Sequence, residues 1–193
     1  MTRLDDLRAE VRRCTRCELF EGATQAVFGD GLVKSEVMFV GEQPGDREDR
    51  DGHPFVGPAG RVLDRALEAA GIDRRLAYVT NAVKHFRYEQ RGKRRIHQRP
   101  GAEHIRACRP WLDAELEVVR PRVLVCLGAV AAQALLGSRV KVTKDRGKPL
   151  ESGLAPVVLV TIHPSAILRG DPESREQEYA AFMRDLKAVA ELL

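Results

Sequence analysis

Residues 36 to 46 read Glu36-Val-Met-Phe-Val-Gly-Glu-Gln-Pro-Gly-Asp46, and the join between the two halves decides the fold. Val37 to Val40 is an unbroken apolar run, too short for a helix and lacking the alternation of a half-exposed strand. Such a run suits a strand buried on both faces of a parallel sheet. Gly41-Glu-Gln-Pro-Gly45 then breaks it with turn residues. Working outward, Glu36–Val40, Ala77–Val83, Arg122–Leu127 and Val157–Ile162 all read as strands of this kind. Between them lie apolar stripes at helical spacing. Val62, Leu63, Ala66, Leu67 and Ala70 are closed by Gly71; Ile105, Cys108, Leu112, Leu116 and Val119 are ended by Pro121; Ala129–Leu136 is stopped by Gly137. Leu4, Leu7 and Val11 stripe a first helix, and Tyr179, Phe182, Leu186, Val189 and Leu193 a last one. Strands alternating with crossover helices predict one α/β domain over residues 1–193, with three layers, α/β/α, around a central four-stranded parallel sheet.

Composition agrees with that class. Apolar residues make up 44% of the 193 and charged residues 31%, as in ordinary soluble globular proteins. No stretch approaches the roughly 18 apolar residues of a membrane helix. Met1-Thr-Arg-Leu-Asp-Asp6 lacks the layout of a signal peptide, so a cytoplasmic protein is expected, with no membrane partner. In that compartment cysteines serve as metal ligands or packing more often than as disulfides. The net charge is +4, yet residues 84–99 alone hold seven Lys or Arg against one Glu. A run like this is either a solvated face or a phosphate-binding surface, where clustered cations displace counterions from a nucleic-acid backbone.

Open α/β sheets bind ligands beyond the carboxyl ends of their strands. Three of the four expected strands lead there into unusual polar sequence: residues 41–55, 81–97 and 163–169. Glu42 and Gln43 would face the crevice. Asn81 offers the donor and acceptor that can pair with a base edge. Phe55 is either core or a platform for an unstacked base, and His163 either a satisfied buried histidine or a donor. Cys14 and Cys17, spaced Cys-x2-Cys, aim two sulfurs at one metal or cluster without choosing between zinc and iron–sulfur. Cys108 lies on a helix stripe. Cys126, inside Val123-Leu-Val-Cys-Leu127, reads as packing; His85, after the second strand, is either a fourth donor or another residue of the basic segment.

Taken in order, Gly41-Glu-Gln-Pro-Gly45, Pro54-Phe-Val-Gly-Pro-Ala-Gly60, Thr80-Asn-Ala-Val-Lys-His85 and His163-Pro-Ser165 resemble the motifs of the iron–sulfur (family 4) uracil-DNA glycosylases. Cys14-x2-Cys17 and Cys108-Arg-Pro-Trp-Leu112 are similar to that family's cluster ligands, and the resemblance runs over roughly residues 10 to 185. Two departures look like the X-type branch (UdgX): Gln43 where the ordinary enzymes have Gly, and the insertion Lys93-Arg-Arg-Ile-His97; a third departure is His85, where many relatives place a cysteine. The resemblance implies a [4Fe-4S] cluster held by Cys14, Cys17, His85 and Cys108. It implies that uracil-containing DNA, preferably single-stranded, is the partner. It assigns Asn81 and Phe55 to the flipped base, beside Gly41, and His163 to the developing charge on uracil O2. His97 becomes the nucleophile that captures the sugar covalently. Glu42 would orient that ring or steady the sugar cation, with Gln43 or Asp46 assisting. Arg169, near Ser165, would hold a phosphate or the leaving group. Lys84, Arg87, Arg91, Lys93, Arg94 and Arg95 are the expected DNA contacts, and a monomer is expected. Two other readings stay open: a conventional turnover glycosylase, and a metal-stabilised nucleic-acid-binding module without chemistry.

Overall fold

In the computed structural model, which describes residues 2–193, the chain runs through α1 (Arg3–Val11), α2 (Leu19–Gly22), β1 (Val37–Gly41), α3 (Asp46–Asp51), α4 (Pro58–Ala70) and β2 (Ala77–Asn81). It continues through β3 (Tyr88–Arg91), β4 (Arg94–His97), α5 (Ala102–Val119), β5 (Val123–Leu127), α6 (Ala129–Leu136), α7 (Val142–Asp145), β6 (Val157–Thr161), α8 (Pro164–Arg169) and α9 (Pro172–Ala190). The central sheet has four strands in the order β2-β1-β5-β6, every neighbouring pair parallel. The expected three-layer α/β/α fold is therefore the observed one. Alternate side chains of the strands feed two cores. Met38, Val40, Tyr78, Leu124, Cys126, Val158 and Val160 pack with residues of α1, α5 and α6. Val37, Phe39, Val79, Val125, Leu127 and Leu159 pack with α4, α8 and α9. Burying one such side chain contributes on the order of 1.5–3 kcal/mol, which is why the strands read as continuous apolar runs. No helix among the described residues is long and apolar enough to cross a membrane.

The helix boundaries follow the stop signals. Pro58 opens α4 and Gly71, at φ 80°, closes it in the left-handed region that favours glycine. Leu193 lies past the end of α9, one stripe position too far. The second strand also ends sooner than its apolar pattern suggests. Ala82 and Val83 leave the sheet, and their N–H groups bond the carbonyls of Gly41 and Glu42. That turn ties the ends of β1 and β2 together and carries residues 82–86 inward, all buried. The inserted basic segment is a β-hairpin, β3 against β4, with Gly92 (φ 57°) at its turn.

Candidate active site

At the carboxyl end of β1, Gly41 pairs in register with Asn81 at the end of β2. A Cβ on Gly41 would collide with Asn81 Oδ1 and come within 2.7 Å of Phe55 Cζ. The missing side chain therefore leaves a cradle whose walls are an amide and an aromatic ring. Phe55 reaches it from a strained backbone, φ 58°, a cost of about 1–3 kcal/mol for a non-glycine residue. The surroundings hold it there. Glu48 accepts hydrogen bonds from the N–H groups of Gly45 (3.1 Å) and Gly57 (2.7 Å), joining the two ends of the loop, and a Cβ on Gly60 would collide with the Phe55 carbonyl.

His163 faces Phe55, ring centroids 6.0 Å apart and 29° from parallel. It caps α8: its Nδ1 accepts the Ser165 N–H (3.1 Å) and lies 2.8 Å from Ser165 Oγ. A backbone N–H can only donate, so Nδ1 carries no proton and Nε2–H is left as a donor. Burial, then the Arg169 charge and the neighbouring His97, hold the imidazole down to about 4, so it is neutral near pH 7. Arg169 Nη1 donates to Ser165 Oγ (3.0 Å), completing the chain Arg169–Ser165–His163.

The hairpin delivers His97 to the same strand ends. Its Nε2 stands 3.5 Å from Glu42 Oε1, too far for a good hydrogen bond, and that buried oxygen has no partner. Burial raises the Glu42 carboxyl above its ordinary value, against Arg99 and Arg169, and burial and Arg169 lower the His97 imidazole. An unpartnered carboxylate oxygen and a neutral imidazole thus face one gap beside the cradle. Arg99, unremarked in the sequence because it closes a run of arginines, belongs to this mouth of the site.

Several expected roles are corrected by these positions. Lys84 is fully buried and bonded to Glu115, so it cannot reach a phosphate from solvent. Arg95 is also removed from the DNA surface. Its guanidinium contacts Asp46, bonds Asp49 at 2.6 Å and lies over the rings of Phe86 and Tyr88. Asp46, bound by Arg50 and Arg95, is held below the ordinary carboxylate range and anchors the hairpin to α3 instead of assisting Glu42. Gln43 spends its amide on backbone: it accepts from Arg87 N (3.1 Å) and donates to the carbonyls of Arg87 (3.2 Å) and Gln98 (3.0 Å). It staples the two feet of the hairpin, which places His97. Arg87 is half-buried and bonds the Arg99 carbonyl, while Arg91, Lys93 and Arg94 stay exposed.

The cysteine constellation assembles on the other side of β2. Cys14 and Cys17 both lie close enough to act on the Cys108 thiol, which burial pushes up to about 11 although the Lys84 N–H bonds its sulfur (3.4 Å). Trp111 Nε1 donates to Cys14 Sγ (3.1 Å). His85, one residue past Lys84, is buried with Nδ1 lacking any partner. Among the described residues no three His, Cys, Asp or Glu side chains converge closely enough to hold a single metal ion. A cluster of several irons spaces its ligands more widely than one ion does, so the three neighbouring thiols fit such a group; the orphaned His85 nitrogen has the Asp49 carboxylate as its charged neighbour. Cys126 is buried in β5 with its thiol pushed up to about 12, consistent with packing alone.

Shape alone would have pointed elsewhere. A groove of about 570 Å³ is lined by Leu116, Arg120, Arg122 and Pro156, at the amino ends of β5 and β6. None of the groups described above borders it.

Comparison with known proteins bears on these strand ends. Residues 28–187 match the family model described as the uracil DNA glycosylase superfamily. A type-4 uracil-DNA glycosylase of Thermotoga maritima is 39% identical over 160 residues, covering 82% of this chain and 80% of its own. Those of Archaeoglobus fulgidus and Sulfurisphaera tokodaii are 35% and 34% identical, covering the whole of this chain and 94% and 86% of theirs. The matched span includes the Gly41–Asn81–Phe55 cradle, the hairpin and His163, and the chain belongs to the uracil-DNA glycosylase superfamily.

Proposed function

We propose that the protein excises uracil from DNA, single-stranded DNA by preference, and captures the exposed sugar on His97 as part of DNA repair, acting as a monomer. The observation that carries this reading is the pair formed by His97 Nε2 and the unpartnered Glu42 Oε1, 3.5 Å apart at the mouth of the cradle. Breaking an N-glycosidic bond leaves a sugar cation and a uracil anion. Asn81 pairs with the pyrimidine edge, Phe55 stacks on the ring, and His163 Nε2–H donates to O2 as charge develops there. Glu42 steadies the cation. The lone pair of His97 Nε2 forms a bond to C1′, the C1′–N1 electron pair leaves with uracil, and the imidazole sheds its remaining ring proton to solvent. An alkylated imidazole is a poor leaving group, so the adduct persists and the protein is consumed.

A [4Fe-4S] cluster, held by Cys14, Cys17, His85 and Cys108, would supply a structural tie between the N-terminal segment and the start of the hairpin. Freshly purified protein is expected to be brown. Cys108→Ser should lose the colour and Cys126→Ser keep it; stoichiometric zinc in a colourless protein would overturn the cluster, and unchanged iron in His85→Ala would remove His85 from its ligands.

A conventional turnover glycosylase is the second reading, favoured by the names of the relatives. One gel separates them. After mixing with uracil-containing single-stranded DNA and denaturing, a shifted band means capture, alkali-labile DNA without a shift means turnover, and neither leaves binding alone.

Two further outcomes separate grip from chemistry. Removing the exposed charges with Lys93→Ala and Arg94→Ala should weaken DNA binding and lower its salt slope by about 0.7 per lost phosphate contact on a single strand. An unchanged slope would take the hairpin tip off the DNA. Gly41→Ala fills the cradle and should cut the reaction with uracil at least about tenfold, while affinity for uracil-free DNA, set by phosphate contacts, stays within about twofold.

A further inference from the structure

Lys84 is a charged side chain with no exposure, and the mechanism above does not use it. Its three ammonium protons are all spoken for: Thr80 Oγ1 at 2.7 Å, the Asn81 backbone carbonyl at 2.8 Å and Glu115 Oε2. Glu115, equally buried, also accepts from Gly29 N–H (3.0 Å), Tyr78 OH (2.9 Å) and Thr80 Oγ1. The network is closed. Closure explains how the charges survive burial but not why they are there, because a buried ion pair replaced by apolar groups of similar volume is often no less stable. Its placement supplies a reason. Of Lys84's three acceptors, one is the peptide carbonyl of the residue whose amide forms the cradle wall, and a second is the residue before it.

We propose that the Lys84–Glu115 pair is a positioning device for base recognition, fixing the peptide of Asn81 so that its side-chain amide meets the pyrimidine edge in one pose. The proposal rests on the uracil-excising reading and deepens it. Asn81 terminates β2, where the sheet ladder no longer restrains the chain beyond it, and the turn at Ala82 and Val83 follows at once. The Lys84 ammonium closes that turn by bonding back to Thr80 and Asn81, and Glu115 anchors it to the C-terminal part of α5. Lys84 touches no substrate atom; it acts through Asn81.

A double-mutant cycle tests this, since residues acting through one another are not additive. Lys84→Met/Glu115→Gln removes both charges together and keeps volume and the acceptor facing Gly29 and Tyr78. Single-turnover reaction with uracil-containing single-stranded DNA is then measured with Asn81 intact and in the Asn81→Ala background. With Asn81 intact the pair replacement is expected to slow the reaction about tenfold, with affinity for uracil-free DNA unchanged; with Asn81→Ala it should cost less than twofold. Equal losses in both backgrounds, or none with Asn81 intact, overturn the proposal. Thr80→Val, which removes one Lys84 acceptor without changing charge, carries the same cycle if the double replacement does not fold. Wild-type protein that fails to react with uracil sinks the underlying reading and this proposal with it; wild-type reaction with an additive cycle sinks this proposal alone.

Discussion

His97→Ser is expected to turn a protein that reacts once into one that releases uracil with multiple turnovers and leaves abasic sites. The wild type should consume at most about one uracil per molecule, because a nucleophile that is not regenerated cannot cycle. Serine removes the imidazole and leaves space beside Glu42, whose unpartnered Oε1 then meets water. Asn81, Phe55 and His163 are untouched, so the bond to uracil still breaks, and water takes the place of Nε2 at C1′. The fold should survive. The His97 side chain is about half-exposed (49%), and its backbone pairing with Tyr88 does not depend on the ring. A partly exposed substitution of this kind shifts stability by about 1 kcal/mol or less. The check is product counted per protein, with the denaturant-resistant band followed on the same samples and the wild-type adduct digested for mass spectrometry. Several uracils released per wild-type molecule, or an adduct mapped away from His97, would leave the conventional turnover reading standing.

The fold was legible in the sequence because parallel strands advertise burial on both faces. Val37–Val40 and Val123–Leu127 could hardly be anything else, and Gly71 and Gly137 stopped their helices where the structure stops them. The cradle was legible for a related reason: in this architecture the polar residues after each strand have only one place to go. What the sequence concealed was the fate of individual charges. Lys84 and Arg95 sit in the same basic run as Lys93 and Arg94, and nothing local separates them. Their partners come from far along the chain, Glu115 for one, Asp46 and Asp49 for the other. A sharper clue was present in Asp46 and Asp49, two carboxylates three apart on one face of a short helix. Such a pair invites a guanidinium. Gln43 misled differently, since a polar side chain at a strand end can serve the backbone around the site as readily as the ligand in it.

Acid should weaken the reaction, alkali should not, and His163 is where that asymmetry can be read. In the proposed capture three groups must be in particular protonation states. His163 has to be neutral to accept Ser165 N–H at Nδ1 and donate from Nε2; burial holds it down to about 4. His97 has to be neutral to present a lone pair, and burial with Arg169 lowers it from the ordinary 6.5. Glu42 has to be ionised, and burial raises it above the ordinary 4.5. Every one of these conditions fails on the acid side, so the rate of capture should be flat from about pH 8 down to about 6.5 and fall below that, steepening as Glu42 and His163 protonate in turn. Stability carries the same sign. The unfolded chain takes up the His163 proton first as pH falls, so its contribution is complete above 6.5 and is lost between 6.5 and about 4. Replacing the residue separates the two effects. His163→Ala should slow the reaction about 10²–10³-fold, the usual cost of one donor to a developing anion, and make the fold less sensitive to acid between pH 6.5 and 4 than the wild type. Its DNA affinity should hold, since His163 touches no phosphate in this scheme. A wild-type rate that rises as pH falls from 8 to about 6.5 would mean that one of the two histidines works as a cation. A variant that loses DNA binding in step with rate would move His163 out of the chemistry and into the grip.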